Sequence, residues 1–99
     1  MFGLHEADVD MIINALRENI EIERAFIFGS RALGNYKKGS DVDLVVTGHN
    51  VTSKTISDLN ELLNEVYPLP YFFDILHYEN IENEKLKEHI DEHGVEVEF

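Results

Sequence analysis

The chain has 99 residues, 43% of them hydrophobic and none of them cysteine, which suits one small domain with a modest core and excludes disulfides and thiolate metal sites. Its net charge of -12, from 20 acidic and 8 basic residues, would repel a phosphate backbone, so we expect no direct nucleic-acid binding. No apolar stretch approaches the roughly 18 residues of a membrane span, and the N-terminal region lacks signal-peptide features, so we expect a cytoplasmic protein with no membrane partner.

The first half of the chain predicts one helix and two strands. Residues 6–19 predict a helix, because apolar side chains recur at helical spacing as far as Ile20 and acidic residues occupy the first turn. Residues 24–29 are rich in Phe and Ile, which is typical of a strand. Residues 31–39 hold glycines and lysines and indicate a turn or short helix and then a loop. Residues 41–47 become continuously apolar, as in a strand that enters the interior.

The second half predicts two further helices and two strands. Residues 53–66 place apolar side chains on one helical face, and prolines follow them. Residues 71–77 are a strand candidate, and residues 83–93 are a helix candidate with Asn83 as its N-cap. The final VEVEF alternates like an edge strand. This order of elements predicts an α/β fold, with a small mixed sheet flanked by helices.

Three carboxylates in or beside the predicted strands suggest a metal site. Asp41 and Asp43 are two residues apart, so both point to the same face of a strand. Asp74 interrupts an apolar strand, where an unpaired carboxylate would be costly unless it meets a cation or lies at an exposed strand end. Magnesium is commonly held by one or two carboxylates together with substrate phosphates. A lone D-x-D pair in an acidic chain is more often a solvated strand end or a cap.

A second feature precedes these carboxylates. Gly29 permits close approach of the backbone to a ligand, and Ser30 with the following amides could hold phosphate oxygens if they open a helical turn. The plain alternative is a simple strand-to-turn Gly-Ser pair. Similarly, the acidic surface suits a metal-nucleotide complex or a basic partner, or serves only solubility.

Taken together, these motifs resemble a known family. Gly29-Ser30, then Asp41 and Asp43, then a later acid in a strand, Asp74, is similar to the minimal nucleotidyltransferases (MNT) of the DNA polymerase β superfamily. The local sequence GSRALGNYKKGSDVDLVV carries most of this resemblance, which extends over roughly residues 22–98. It implies a polymerase β-like nucleotidyltransferase fold, with residues 1–99 as a single minimal nucleotidyltransferase domain.

The resemblance also implies roles for individual residues. Gly29 and Ser30 would contact the terminal phosphates of ATP. Asp41 and Asp43 would bind magnesium, and Asp74 would complete the metal site and help to activate the attacking hydroxyl. Arg31 would steady phosphate charge.

Some of the remaining polar residues have no firm role. Many relatives carry Arg where this chain has Leu33, and whether Lys37 or Lys38 compensates stays open. His89 and His93 are four residues apart on a predicted helix, a spacing that fits zinc, but no third ligand is evident and a solvated helix face is the simpler interpretation.

The implied function is transfer of AMP from ATP to a hydroxyl, by family resemblance a tyrosine hydroxyl, of a HEPN-domain toxin, with the chain acting as its antitoxin. Two alternatives stay open. The chain could neutralise the HEPN partner by contact alone, without catalysis. It could also be a nucleotidyltransferase that acts on a small molecule, although such enzymes usually carry an added helical domain.

Overall fold

The computed structural model describes residues 1–99, which form four α-helices and four β-strands. The helices are α1 (Glu6–Glu18), α2 (Ser30–Leu33), α3 (Ser53–Glu61) and α4 (Glu84–His93), and the strands are β1 (Arg24–Phe28), β2 (Val42–Thr47), β3 (Phe73–His77) and β4 (Val95–Glu96). A π-helical turn (Leu62–Val66) extends α3, and a 3-10 turn (Tyr78–Asn80) follows β3. None of the helices has the length and apolar character needed to cross a lipid bilayer.

The strands form one sheet in the order β3-β2-β1-β4. Strand β1 is antiparallel to both β2 and β4, whereas β2 and β3 are parallel. Parallel neighbours need a crossover connection, and α3 supplies it. The predicted α/β class, with a small mixed sheet flanked by helices, is therefore confirmed.

Helices cover both faces of the sheet. On one face, α1 and α3 with its π-helical turn pack against the inward residues of β1 and β2, including Ile27 and Leu44. On the other face, Ile90 of α4 packs against Phe28 and Val45. Because both sides of β2 are buried, its sequence is continuously apolar after Asp43.

Two details of the helices differ from the sequence prediction. Ile20, expected on the apolar face of the first helix, lies beyond its end and is 91% exposed, because the Asn19 side chain donates to the Ala15 carbonyl and closes the helix (2.9 Å). The predicted single helix over residues 53–66 changes to π-helical winding at Leu62. That winding places the Asn64 amide against the backbone of Phe73, with which it makes two hydrogen bonds (2.8 and 2.9 Å).

Candidate active site

Two of the predicted carboxylates meet across the parallel strand pair. Asp43 of β2 and Asp74 of β3 are direct register partners, and Asp41 lies one residue before β2. Asp43 is half-buried, whereas Asp41 and Asp74 are exposed at the same end of the sheet. Asp74 therefore satisfies one of the two conditions expected of it, an exposed position at a strand end.

The electrostatics at this end of the sheet favour a bound cation. Burial raises the pKa of Asp43, and the negative charges of Asp74 and then Asp41 raise it further. His89 of α4 acts in the opposite direction on the same carboxylate. An ionised Asp43 is thus disfavoured where it stands, and a bound cation would relieve both the burial and the repulsion.

The three carboxylates do not form a complete ligand cluster. No three His, Asp or Glu side chains of the structure are grouped so that they could hold a metal ion as they stand. The assignment of Asp74 as a further ligand of the metal stays a prediction, and the side chain is exposed where it stands. The donors still fit magnesium, which takes one or two carboxylates and fills its other positions with water and phosphate oxygens.

The Gly29-Ser30 turn lies directly beside Asp43. Gly29 caps α2 with φ 73° and ψ −152°, and its carbonyl accepts from the amides of Ala32 and Leu33 (3.1 Å each). A Cβ at Gly29 would overlap the Oδ2 atom of Asp43. Only glycine therefore allows this carboxylate to approach the start of α2, which places the expected phosphate-holding turn next to the expected metal ligand.

Arg31 occupies a different environment from the one expected. Its side chain is buried, and its guanidinium donates to the carbonyl of Ser40 through Nε (3.2 Å) and Nη2 (2.9 Å) and to the carbonyl of Phe2 through Nη1 (3.0 Å). The rings of Tyr36 and Tyr71 lie 5.0 and 4.9 Å from it. The donors that were expected to steady phosphate are thus directed at backbone oxygens, and the phosphate contact of Arg31 stays a prediction without geometric support.

Sequence reasoning assigned no role to His89, which lies near Asp43. Its ring meets Phe28 edge-on, with centroids 6.4 Å apart, and lies 5.2 Å from the ring of His93. The four-residue spacing of the two histidines was visible in the sequence, but only the packing of α4 on the sheet reveals that His89 lies close enough to Asp43 to act on its carboxylate.

A mixed sheet with paired carboxylates beside a Gly-Ser turn is an arrangement suited to metal-assisted phosphoryl or nucleotidyl transfer. Comparison with protein families matches residues 10–97 to the family described as "Polymerase beta, Nucleotidyltransferase". The chain therefore belongs to the polymerase β nucleotidyltransferase family. No curated protein matches it significantly.

Solved structures with the same fold include three toxin-antitoxin complexes. One, described as a toxin-antitoxin with AMP-PNP, has a TM-score of 0.73 and 22% identity, and the match covers 89% of this chain and 70% of the other. Two mutants of the toxin-antitoxin MntA-HpeT have TM-scores of 0.70 and 0.68, with 19% and 21% identity. Their matches cover 89% and 90% of this chain, and 70% and 69% of the others. At these identities the likeness establishes the shared fold.

Proposed function

We propose that this chain transfers AMP from ATP to a hydroxyl group of a HEPN-domain toxin and thereby acts as its antitoxin. The observation that carries the proposal is the register pairing of Asp43 with Asp74, directly beside the Gly29-Ser30 turn. Membership of the nucleotidyltransferase family supports the reaction class. The AMP-PNP in a structural neighbour's description supports an adenine nucleotide as the donor.

In the proposed reaction, a hydroxyl oxygen of the acceptor attacks the α-phosphorus of ATP. The bond from that phosphorus to the bridging oxygen of the β-phosphate breaks, and pyrophosphate leaves. Asp74, which is exposed at the same end of the sheet, accepts the proton of the attacking hydroxyl. Asp41 and Asp43 would hold magnesium, which neutralises phosphate charge and stabilises the attacking and leaving oxygens. Ser30 and the first amides of α2 would bind the terminal phosphates.

The proposed partner follows from the neighbouring structures and from the architecture of the chain. All three neighbours reported above are described as toxin-antitoxin complexes. We propose that residues 1–99 are one minimal nucleotidyltransferase domain, in which the acceptor must be brought by another molecule. A tyrosine hydroxyl of the toxin is the proposed acceptor, and the pair would form a stable complex.

The test is intact-mass spectrometry of the co-expressed HEPN-domain partner after incubation with ATP and magnesium. Wild-type chain should add mass in whole AMP units, and Asp41→Asn/Asp43→Asn should not. The matched control is Asp10→Asn/Glu18→Gln, which removes the same net charge from exposed positions of α1 and should leave the transfer unchanged.

The other possible results of this experiment distinguish between the alternative functions. A stable complex with no mass gain would replace the proposal with neutralisation by contact alone. Mass gain that survives in the double variant would refute the assignment of Asp41 and Asp43. Absence of any complex, with AMP transfer to a small hydroxyl compound instead, would favour the small-molecule enzyme.

A further inference from the structure

A single buried guanidinium joins three segments of the chain, two of which carry residues of the candidate active site. Arg31 is only 3% exposed although it carries a full positive charge. It follows Ser30 directly in α2, reaches the carbonyl of Ser40 just before Asp41, and reaches the carbonyl of Phe2 near the N-terminus. Burying a charge is unfavourable unless hydrogen bonds compensate, and here the compensation consists of backbone carbonyls.

Ser40, whose carbonyl accepts two hydrogen bonds from Arg31, belongs to a tight turn. The amide of Ser40 donates to the carbonyl of Lys37 (2.9 Å), and the amide of Lys37 donates to Oγ of Ser40 (2.8 Å). The amide of Val42 donates to the carbonyl of Phe72 (2.9 Å), where β2 begins to pair with its neighbour. Asp41 therefore lies between a turn fixed by Arg31 and a strand fixed by the sheet.

Apart from the two hydrogen bonds of the turn itself, the attachment to Arg31 restrains a loop whose glycines allow it considerable freedom. Gly34 and Gly39 both have positive φ values, 84° and 85°, and a Cβ at either position would meet nothing within 4 Å. Glycines in such open surroundings leave the backbone many accessible conformations. The guanidinium contacts at Ser40 thus connect the loop before Asp41 to the body of the protein.

We propose that Arg31 is a positioning residue: it sets the placement of Asp41 relative to the Gly29-Ser30 turn by fixing Ser40. The inference rests on the proposed function for its catalytic consequence, whereas its structural part stands on the contacts alone. It replaces the phosphate contact expected from the sequence, because all three hydrogen bonds of the side chain go to main-chain oxygens.

Arg31→Lys separates the two roles, because it keeps the charge but not the planar set of donors. Lysine is a compact point charge and cannot place two donors on Ser40 and a third on Phe2. A positioning role predicts that Arg31→Lys and Arg31→Gln both lower kcat, by at least ~10-fold since misplacement of about 1 Å costs up to ~100-fold. Both should also need more magnesium for half-maximal transfer, with the KM for ATP little changed.

A direct phosphate contact predicts the opposite pattern. Arg31→Lys would then retain most of the activity, and Arg31→Gln would mainly raise the KM for ATP. Arg17→Gln is the matched control, because it removes a positive charge from an exposed position of α1, which carries none of the candidate site residues. It should behave as wild type under the positioning role.

Hydrogen exchange of the chain alone tests the same inference without relying on transfer. Arg31→Lys should lose amide protection in residues 39–43, while the core strands β1 and β2 beyond Asp43 keep theirs. If Arg31→Lys does not fold, Tyr36→Leu takes its place, since it removes one stacking ring from the guanidinium at an exposed position. It should show a smaller loss in the same segment.

The hydrogen-exchange result distinguishes failure of this inference from failure of the proposed function. A wild-type chain without transfer activity, combined with the local loss of protection, would reject the proposed function and retain the positioning role of Arg31. Unchanged protection in residues 39–43 would overturn the inference, whatever the activity. Loss of protection throughout the core would overturn it too, because Arg31 would then serve general stability.

Discussion

Replacing Gly29 by alanine should destabilise the protein through two separable effects. The backbone of Gly29, at φ 73° and ψ −152°, lies in a region that is essentially restricted to glycine. Holding another residue there costs about 1–3 kcal/mol. The new Cβ would also overlap Oδ2 of Asp43, so the carboxylate must move away from the turn.

The backbone cost of Gly29→Ala can be converted into a change in melting temperature. For a chain of this length, 1 kcal/mol corresponds to about 4–8 °C, so a backbone cost of ~2 kcal/mol lowers Tm by roughly 8–16 °C. Displacement of Asp43 adds to that cost. Urea denaturation monitored by circular dichroism gives the free energy of unfolding, and a thermal scan gives the Tm.

Gly34→Ala is the matched control for this substitution. Gly34 also has a positive φ, 84°, but a Cβ there would meet nothing within 4 Å. Gly34→Ala therefore introduces only a left-handed backbone penalty, roughly 1–2 kcal/mol. The excess cost of Gly29→Ala over this control combines the crowding of Asp43 with the stricter backbone region that Gly29 occupies.

A double-mutant cycle with Asp43→Ala isolates that crowding. In the Asp43→Ala background the overlap is gone, so Gly29→Ala should cost less than in the wild-type background, with a coupling on the order of 0.5–3 kcal/mol. If Gly29→Ala costs no more than Gly34→Ala, and its cost is the same in both backgrounds, the proposed close approach of Asp43 to the turn is wrong.

Three further predictions concern stability. Burial, and then the charge of Asp74, raises the pKa of Asp43. Folding therefore favours the protonated carboxyl group, and the stability that this group contributes is present below the unfolded-state pKa of about 3.9 and is lost as pH rises through the higher folded-state pKa. Asp43→Asn should thus be more stable than wild type near pH 7, with the difference shrinking toward about pH 4 in urea titrations; a pH-independent difference would contradict this. Asn64→Ala leaves the amide and carbonyl of Phe73 unpaired and should cost about 1–3 kcal/mol in urea denaturation; a neutral result would show that water replaces the side chain. Thr52→Ala removes the N-cap of α3 and should cost about 1 kcal/mol, and an unchanged Tm would show that this cap is dispensable.

Local patterns in the sequence were sufficient to predict the elements and the sheet class. Apolar spacing identified α1 and α3. Residues 83–93 were predicted as a helix from its capping residues, and the capping role of Asn83 is confirmed by its hydrogen bond with the Leu86 amide (3.1 Å). The two-residue spacing of Asp41 and Asp43 predicted one strand face for both, whereas β2 begins at Val42 and leaves Asp41 just before it. These features depend on residues close together in the chain, so sequence periodicity records them.

The contacts that periodicity could not reveal are those between distant segments. The burial of Arg31 depends on the carbonyl of Phe2, 29 residues away, and on a loop whose path has no repeating pattern. A backbone carbonyl leaves no trace in the sequence, so the arginine could only be assigned by its charge. The shift to π-helical winding at Leu62 was hidden for a related reason, since its effect is the contact of Asn64 with a strand nine residues away.

The Asn64 contact also affects how the molecule meets other copies of itself. Strand β3 is an edge of the sheet, and such an edge offers unpaired amides and carbonyls on which another chain can build an additional strand. The side-chain amide of Asn64 already occupies both outward groups of Phe73, where β3 begins. The opposite edge, β4, has only two residues. One edge of the sheet is thus blocked where its strand begins and the other is very short, and both features reduce the strand-to-strand association that leads to aggregation.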